Sequence, residues 1–190
     1  MKRRSGFTLI ELLTVITIIG ILTGIVIGVA GNVQKKAATS RARAEISALD
    51  LALERYKIDN GDYPDAADIA VPTSPTGYYS GNPSGYQAAG RKLFTALAGR
   101  TAYSALTPAG TPVYFEFKES QVGSPTVNSY MVDPFGFAYG YHYDAASTGT
   151  KSFYNVVVPD IWSTSGQTTQ PNATDNLYIY ARWVTNWGSN

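Results

Sequence analysis

The chain has 190 residues, with 15 Lys plus Arg against 14 Asp plus Glu, a formal net charge of +1 and no cysteine. This balance, without a basic stripe, gives no reason to expect nucleic acid as a partner, and the lack of cysteine excludes disulfides and thiolate metal sites. It does not assign a compartment, because exported proteins also fold without disulfides.

The first element is an apolar run preceded by Lys2, Arg3 and Arg4. Residues 12–30 are 19 positions without a charge. A membrane span needs about 20 apolar residues at about 1.5 Å each. The run is therefore long enough to cross, and longer than the core of about 7–15 residues in an ordinary secretory signal. Gly28-Val29-Ala30-Gly31 imitates a cleavage site at its end. Glu11 argues against a plain signal or anchor: it is the only charged side chain from residue 7 to 34. A carboxylate in a membrane helix costs roughly 2.5–3.5 kcal/mol and normally has a partner. No cationic side chain lies within reach along the same helix, so the partner is another chain or a charge made by processing. Cutting between Gly6 and Phe7 would supply an α-amine on Phe7, cationic near neutral pH. Glu11 would meet that amine within its own chain, or meet the Phe7 amine of a neighbour in a stagger of parallel helices. The second pairing would also fix axial register.

Lys-Arg-Arg-Ser-Gly followed by Phe-Thr-Leu-Ile-Glu-Leu-Leu, residues 2–13, resembles the class III signal of type IV pilins and type II secretion pseudopilins. The resemblance implies cleavage after Gly6 by a membrane prepilin peptidase and N-methylation of Phe7. It also implies a role for Glu11 in registering subunits during filament assembly. Where the family often has a proline, this chain has Gly28, so no proline kink is expected. Gly20, Gly24 and Gly28 form two overlapping Gly-x-x-x-Gly frames, which let membrane helices approach closely, although glycine is also common in such helices anyway.

The helix is expected to continue beyond the membrane. Residues 32–59 contain no glycine or proline, and Ile46, Leu49, Leu53 and Tyr56 mark one apolar face. Asp59-Asn60-Gly61, then Tyr63-Pro64, is a stop signal. A helix over 7–59 would be about 80 Å long at about 1.5 Å per residue, so its second half should form the spine of a globular head. The stretch LALERYKIDNGDYP, 51–64, resembles the helix end and first turn of the major, G-class pseudopilins. Asp133-Pro134-Phe135-Gly136 with Tyr139 and Tyr141 resembles that class's Asp-Pro-Trp-Gly turn and tyrosine strand. The class usually closes with an acidic loop contributing to a calcium site. Here the counterpart is 162–168, without those acidic residues, and Asp160 and Asp175 flank it at no recognisable ligand spacing. No cofactor or metal is expected, with calcium the one ion left open.

Residues 65–90 read as loop, rich in Pro, Gly, Ser, Thr and Tyr. A short helix is expected at 91–98, stopped by Gly99. Strands are expected around Val113–Phe115–Phe117, around Phe137–Tyr139–Tyr141–Tyr143, at 153–158 and at 177–184. The fourteen tyrosines read as strand formers at a half-exposed surface. His142, the lone histidine, should face away from Tyr141 and Tyr143; with no Gly-x-Ser-x-Gly frame and no phosphate loop, enzymatic chemistry is not expected.

The fold expected is α+β and pilin-like: a long N-terminal helix packed on a small antiparallel sheet. The expected organisation is a leader at 1–6, a transmembrane and assembly helix at 7–30, a helical spine at 31–60, and a globular head at 61–190. The resemblance implies a structural subunit of a type II secretion-like pseudopilus, with copies of itself, other pseudopilins, prepilin peptidase, an inner-membrane assembly platform and membrane lipid as partners. It would cross the bacterial inner membrane once, with its head in the periplasm, and be extracted into a periplasmic filament. A type IV pilus subunit, or a membrane-tethered binding domain with a pilin-like export signal, are the alternatives.

Overall fold

A computed structural model of the chain describes residues 8–66, 86–147, 154–166 and 183–187, and for 26–30 the helical backbone only. The chain divides into two compact units, Met1–Ala38 and Thr39–Asn190. Helix α1, Leu9–Asn60, contributes to both. It is long because nothing interrupts it: the first proline in the sequence is Pro64. Its end follows the stop signal. Gly61 takes a left-handed conformation (φ +88°) and its N–H donates to the Lys57 carbonyl at 2.8 Å. The Asn60 amide donates to the Tyr56 carbonyl and to Tyr114 Oη.

In the second unit, Ala42, Ile46, Leu49, Ala52 and Leu53 of α1 are buried, the face expected from their spacing. They share one core with Leu93, Phe94 and Leu97 of helix α2, Gln87–Ala98. Helix α2 starts four residues earlier than expected. The loop reading of 65–90 therefore fails at 86–90, while 67–85 lie outside the described residues. Gln87, Ala88 and Ala89 are good helix formers that offset the cost of Gly90. Gly99 ends α2 in a left-handed conformation (φ +65°), and a Cβ there would come within 2.8 Å of the Pro112 carbonyl oxygen.

Among the described residues the unit also holds two small antiparallel sheets. In the first, β1, Val122–Gly123, pairs with β2, Tyr130–Met131. The second has the order β3-β4-β5: Gly140–His142, Asp160–Ser163 and Val184–Thr185. Gly140 lies opposite Trp162, Tyr141 opposite Ile161 and His142 opposite Asp160. The fold is thus α+β, with its strands split between two sheets.

Two expected strands are absent. Residues 113–118 form no strand, with a bend at Tyr114. The N–H groups of Tyr114 and Phe115 both donate to the Leu97 carbonyl, an otherwise orphaned acceptor at the end of α2. Residues 154–158 form bends, because the buried Asp160 carboxylate accepts the N–H groups of Tyr154 and Asn155 and curls the chain back. Phe153 and residues 177–182 lie outside the described residues.

The three-stranded sheet is buried on both faces. Tyr139, Tyr141 and Tyr143 join the core that contains α1 and α2. Trp162 belongs to a second cluster, with Tyr86 and Ala138, against which Trp183 and Trp187 pack, so all three tryptophans of the chain meet there. Trp162 lies directly over Gly140, where a Cβ would fall 2.0 Å from its ring. The strand tyrosines are therefore core residues, not a half-exposed surface. Each instead sends its hydroxyl to a polar group near α1 or the turn that follows it. Tyr139 donates to Glu45 (2.8 Å), Tyr141 to the Pro64 carbonyl (2.6 Å) and Tyr143 to Asp62 (2.5 Å). Tyr63 completes the set by donating to Glu54. Paired in this way, the phenols bury their rings without leaving a polar atom unmet.

Candidate assembly site

The first unit contains the residues expected to direct assembly. Thr8 precedes α1 and Glu11 is the third residue of the helix. The Thr8 N–H and its hydroxyl both donate to Glu11 Oε2, at 2.8 and 2.7 Å, and the Glu11 N–H donates back to Thr8 Oγ1 at 3.4 Å. This is a capping box: a threonine and a glutamate three residues on satisfy each other's backbone donors. The sequence expectation that Glu11 must find its partner in another chain or a processed terminus is therefore incomplete. Thr8-Leu9-Ile10-Glu11 already has the T-x-x-E spacing that would have revealed the local partner. Both side-chain bonds fall on Oε2, so among the described residues Oε1 keeps its lone pairs for a second donor.

Beyond the cap the helix is apolar all round. Leu9, Ile10, Leu12, Leu13, Val15, Ile16, Ile18, Ile19, Ile21, Leu22 and Ile25 are all exposed. A helix with this composition is stable only where lipid or other helices cover it. Thr14 and Thr17 fold their hydroxyls onto the carbonyls of Glu11 and Leu13, which satisfies these two donors within the helix. Around Gly20 and Gly24 nothing lies within 4 Å of a would-be Cβ, so both sites open outward in the single chain. Gly28 falls in the segment described by backbone only, and Gly6 and Phe7 lie outside the described residues. Among the described residues no helix is long and apolar enough to cross a membrane.

In the second unit, the Asp133 turn and the 162–166 segment are joined. The buried Asp133 carboxylate accepts the N–H groups of Phe135 (3.0 Å) and Phe137 (2.9 Å) through Oδ1, and the Ser163 hydroxyl (2.5 Å) through Oδ2. Ser163 Oγ in turn accepts the Ser165 N–H at 3.0 Å. Burial pushes the Asp133 carboxyl above the usual carboxylate range, while the three donors hold it back. Asp160 is engaged by backbone N–H groups, as above, and Asp175, Gln167 and Thr168 lie outside the described residues. Among the described residues no three His, Cys, Asp or Glu side chains gather as a metal would require. His142 is buried, on the face of β3 opposite Tyr141 and Tyr143, as expected, and burial lowers its pKa.

Asn186 is a junction that sequence reasoning missed. Its amide nitrogen donates to Asp50 Oδ1 (3.0 Å) and to the Pro159 carbonyl (2.8 Å), while its oxygen accepts the Ile161 N–H (3.0 Å). It thereby ties β5, β4 and α1 together. No motif announces such a residue, because its partners are brought together only by folding.

A family model described as the prokaryotic N-terminal methylation motif matches residues 1–27, and another, type II secretion system (T2SS), protein G, matches 29–83. The type II secretion system core protein G of Aeromonas hydrophila is 47% identical over 64 residues, which are 33% of this chain and 44% of that protein. That of Vibrio cholerae is 42% identical over 79 residues, 40% of this chain and 53% of the relative. That of Escherichia coli K12 is 38% identical over 90 residues, 44% of this chain and 61% of the relative. The chain thus spans about half the length of the curated relatives it matches. No solved structure matches it. The methylation motif is thus followed directly by the protein G region, and the similarity to type II secretion system protein G lies in the first part of the chain.

Proposed function

We propose that the chain is a structural subunit, not an enzyme, of a type II secretion pseudopilus. In this reading prepilin peptidase cuts between Gly6 and Phe7 and Phe7 is N-methylated. Helix α1 holds the subunit in the bacterial inner membrane with the head in the periplasm. An inner-membrane platform then builds it into a short filament with copies of itself and other pseudopilins, helping to drive protein export.

The observation that carries this reading is the capped, uniformly apolar start of α1. A helix that opens on a satisfied Glu11 and then exposes large apolar side chains on every side, with threonine the only polar residue type through residue 25, suits a bundle of like helices. The Thr8 bonds lower the cost of placing Glu11 in an apolar setting, and among the described residues they leave Oε1 to take the Phe7 amine of a neighbour. The first test is the mass of the N-terminal peptide from membrane-purified protein. A chain beginning at N-methylated Phe7 is expected; a chain beginning near Gly31, or retaining Met1, would remove the filament reading. In the processed protein, Glu11→Ala is expected to abolish filament formation in a shearing assay while the head melts as in the wild type.

A further inference from the structure

The apolar run is followed by a cationic pair that the assembly reading does not use. From residue 7 to 40 the only charged side chains are Glu11, Lys35 and Lys36. Cleavage after Gly6 removes Lys2, Arg3 and Arg4, so the two lysines become the only side-chain cations of that segment. Both are exposed on α1.

Position gives the pair a specific neighbour. Lys35 and Lys36 lie five and six residues past Ala30, about 8–9 Å along the helix at about 1.5 Å per residue. The headgroup zone of a bilayer extends about 5–8 Å beyond the hydrocarbon on each side. Side chains of an α-helix tilt toward its N-terminus, here the direction of the apolar run. A lysine stem of four methylenes then bridges the remaining distance and delivers its ammonium to the phosphate level. Asn32 and Gln34, uncharged and polar, occupy the intervening turn.

We propose that Lys35 and Lys36 bind the phosphate groups of anionic phospholipid in the leaflet nearest the head. This rests on the membrane-anchored reading of α1, and adds the headgroup class to it. Lipid phosphates are the partner because the pair is continuous with the apolar surface that lipid would cover, and opposite to them in charge. Acidic groups on a second copy of the chain would satisfy the same charges, and the test separates the two.

The experiment uses the full processed chain mixed with phosphatidylcholine vesicles containing a minor fraction of phosphatidylglycerol. Flotation first reports insertion. Spin-labelled phosphatidylglycerol and spin-labelled phosphatidylcholine then report which lipid borders the protein. The expected result is several-fold enrichment of phosphatidylglycerol, weakened by salt, lost in Lys35→Gln/Lys36→Gln and retained in Lys35→Arg/Lys36→Arg. Equal association of the two lipids, or a preference that survives in the glutamine variant, overturns the proposal and leaves the anchor intact. If the double glutamine variant instead changes only cross-linking between copies, the acidic partner is protein. A wild-type chain that does not float overturns the anchor reading and the lipid contact together.

Discussion

In residues 9–25 of α1 the large apolar side chains stand 46–82% exposed, whereas Ala42, Ile46, Leu49, Ala52 and Leu53, further along the same helix, are 0–3% exposed. Backbone and helix type are the same in both stretches. The difference lies in how apolar residues are distributed around the axis. In 42–53 they recur at threes and fours on one side, with Arg43, Ser47 and Glu54 exposed on the other, so the unit's own sheets and α2 cover the apolar face. In 9–25 they occupy every side, so no single layer of the same chain suffices. The pattern around a helix therefore states what must cover it: a core in one case, lipid or many helices in the other.

Phe94→Ala should break this comparison most strongly. The ring is fully buried between the helices and the sheet, and its loss should cost the head about 3–5 kcal/mol in a denaturant melt. Ile16→Ala, of similar chemistry in the first unit, should leave the head's melt unchanged, since its side chain is exposed in the single chain. A comparable loss from both would mean that the two stretches are not distinct environments.

Asp133→Ala comes next. It leaves the Ser163 hydroxyl and two backbone N–H groups without their acceptor, and should cost about 2–3 kcal/mol. It should also loosen the 162–166 segment, read as faster amide exchange at Ser165, whose N–H depends on Ser163 Oγ. Tyr141→Phe keeps the ring but strands the Pro64 carbonyl, and about 1 kcal/mol is expected.

The smallest effect is on pH dependence. Burial raises the Asp50 carboxyl to about 6, against the hydrogen bond from Asn186. The folded state then holds its proton more tightly than the unfolded chain does. The stabilisation is fully present below the unfolded pKa, near 4, and is lost as pH rises through about 6. After allowance for partial exposure the change is about 1 kcal/mol. Asp50→Asn should flatten the slope of stability between pH 4 and 7. Because Asp133 is shifted in the same direction, a residual slope of the same sign should remain. An unchanged slope in Asp50→Asn would place the titration elsewhere.

Much of the helical architecture was legible in sequence because helices are local. Helix α1 ends at the Asn60-Gly61 stop, and the 46, 49 and 53 spacing marks the buried face. Helix α2 ends at Gly99 as read, though its start was missed. At the candidate assembly site, Glu11 was legible as an anomaly, but its bond to Thr8 was overlooked in favour of a charged partner. The strands were read least well. The apolar alternation at 113–117 is not carried into burial, since Phe117 is buried, Phe115 half-buried and Val113 exposed, and the backbone there meets a helix terminus instead of a strand. Nothing in that stretch of sequence specifies which acceptor its N–H groups will meet.

The sequence by itself determined the N-terminal methylation motif, the extent of the apolar run, the end of α1 and the amphipathic face of the spine. Each depends on residues within a turn or two of one another, or on covalent neighbours. Only the tertiary structure decided that 51–64 and 139–143, two separate motifs in the sequence, meet, with Tyr141 donating to the Pro64 carbonyl and Tyr143 to Asp62, while Tyr139 reaches Glu45 further back on α1. It alone also decided that Asn186 joins β5 to β4 and α1. The physical reason is that a buried hydroxyl or amide must find a partner, while its own sequence neighbourhood does not say which distant group the fold will bring to it.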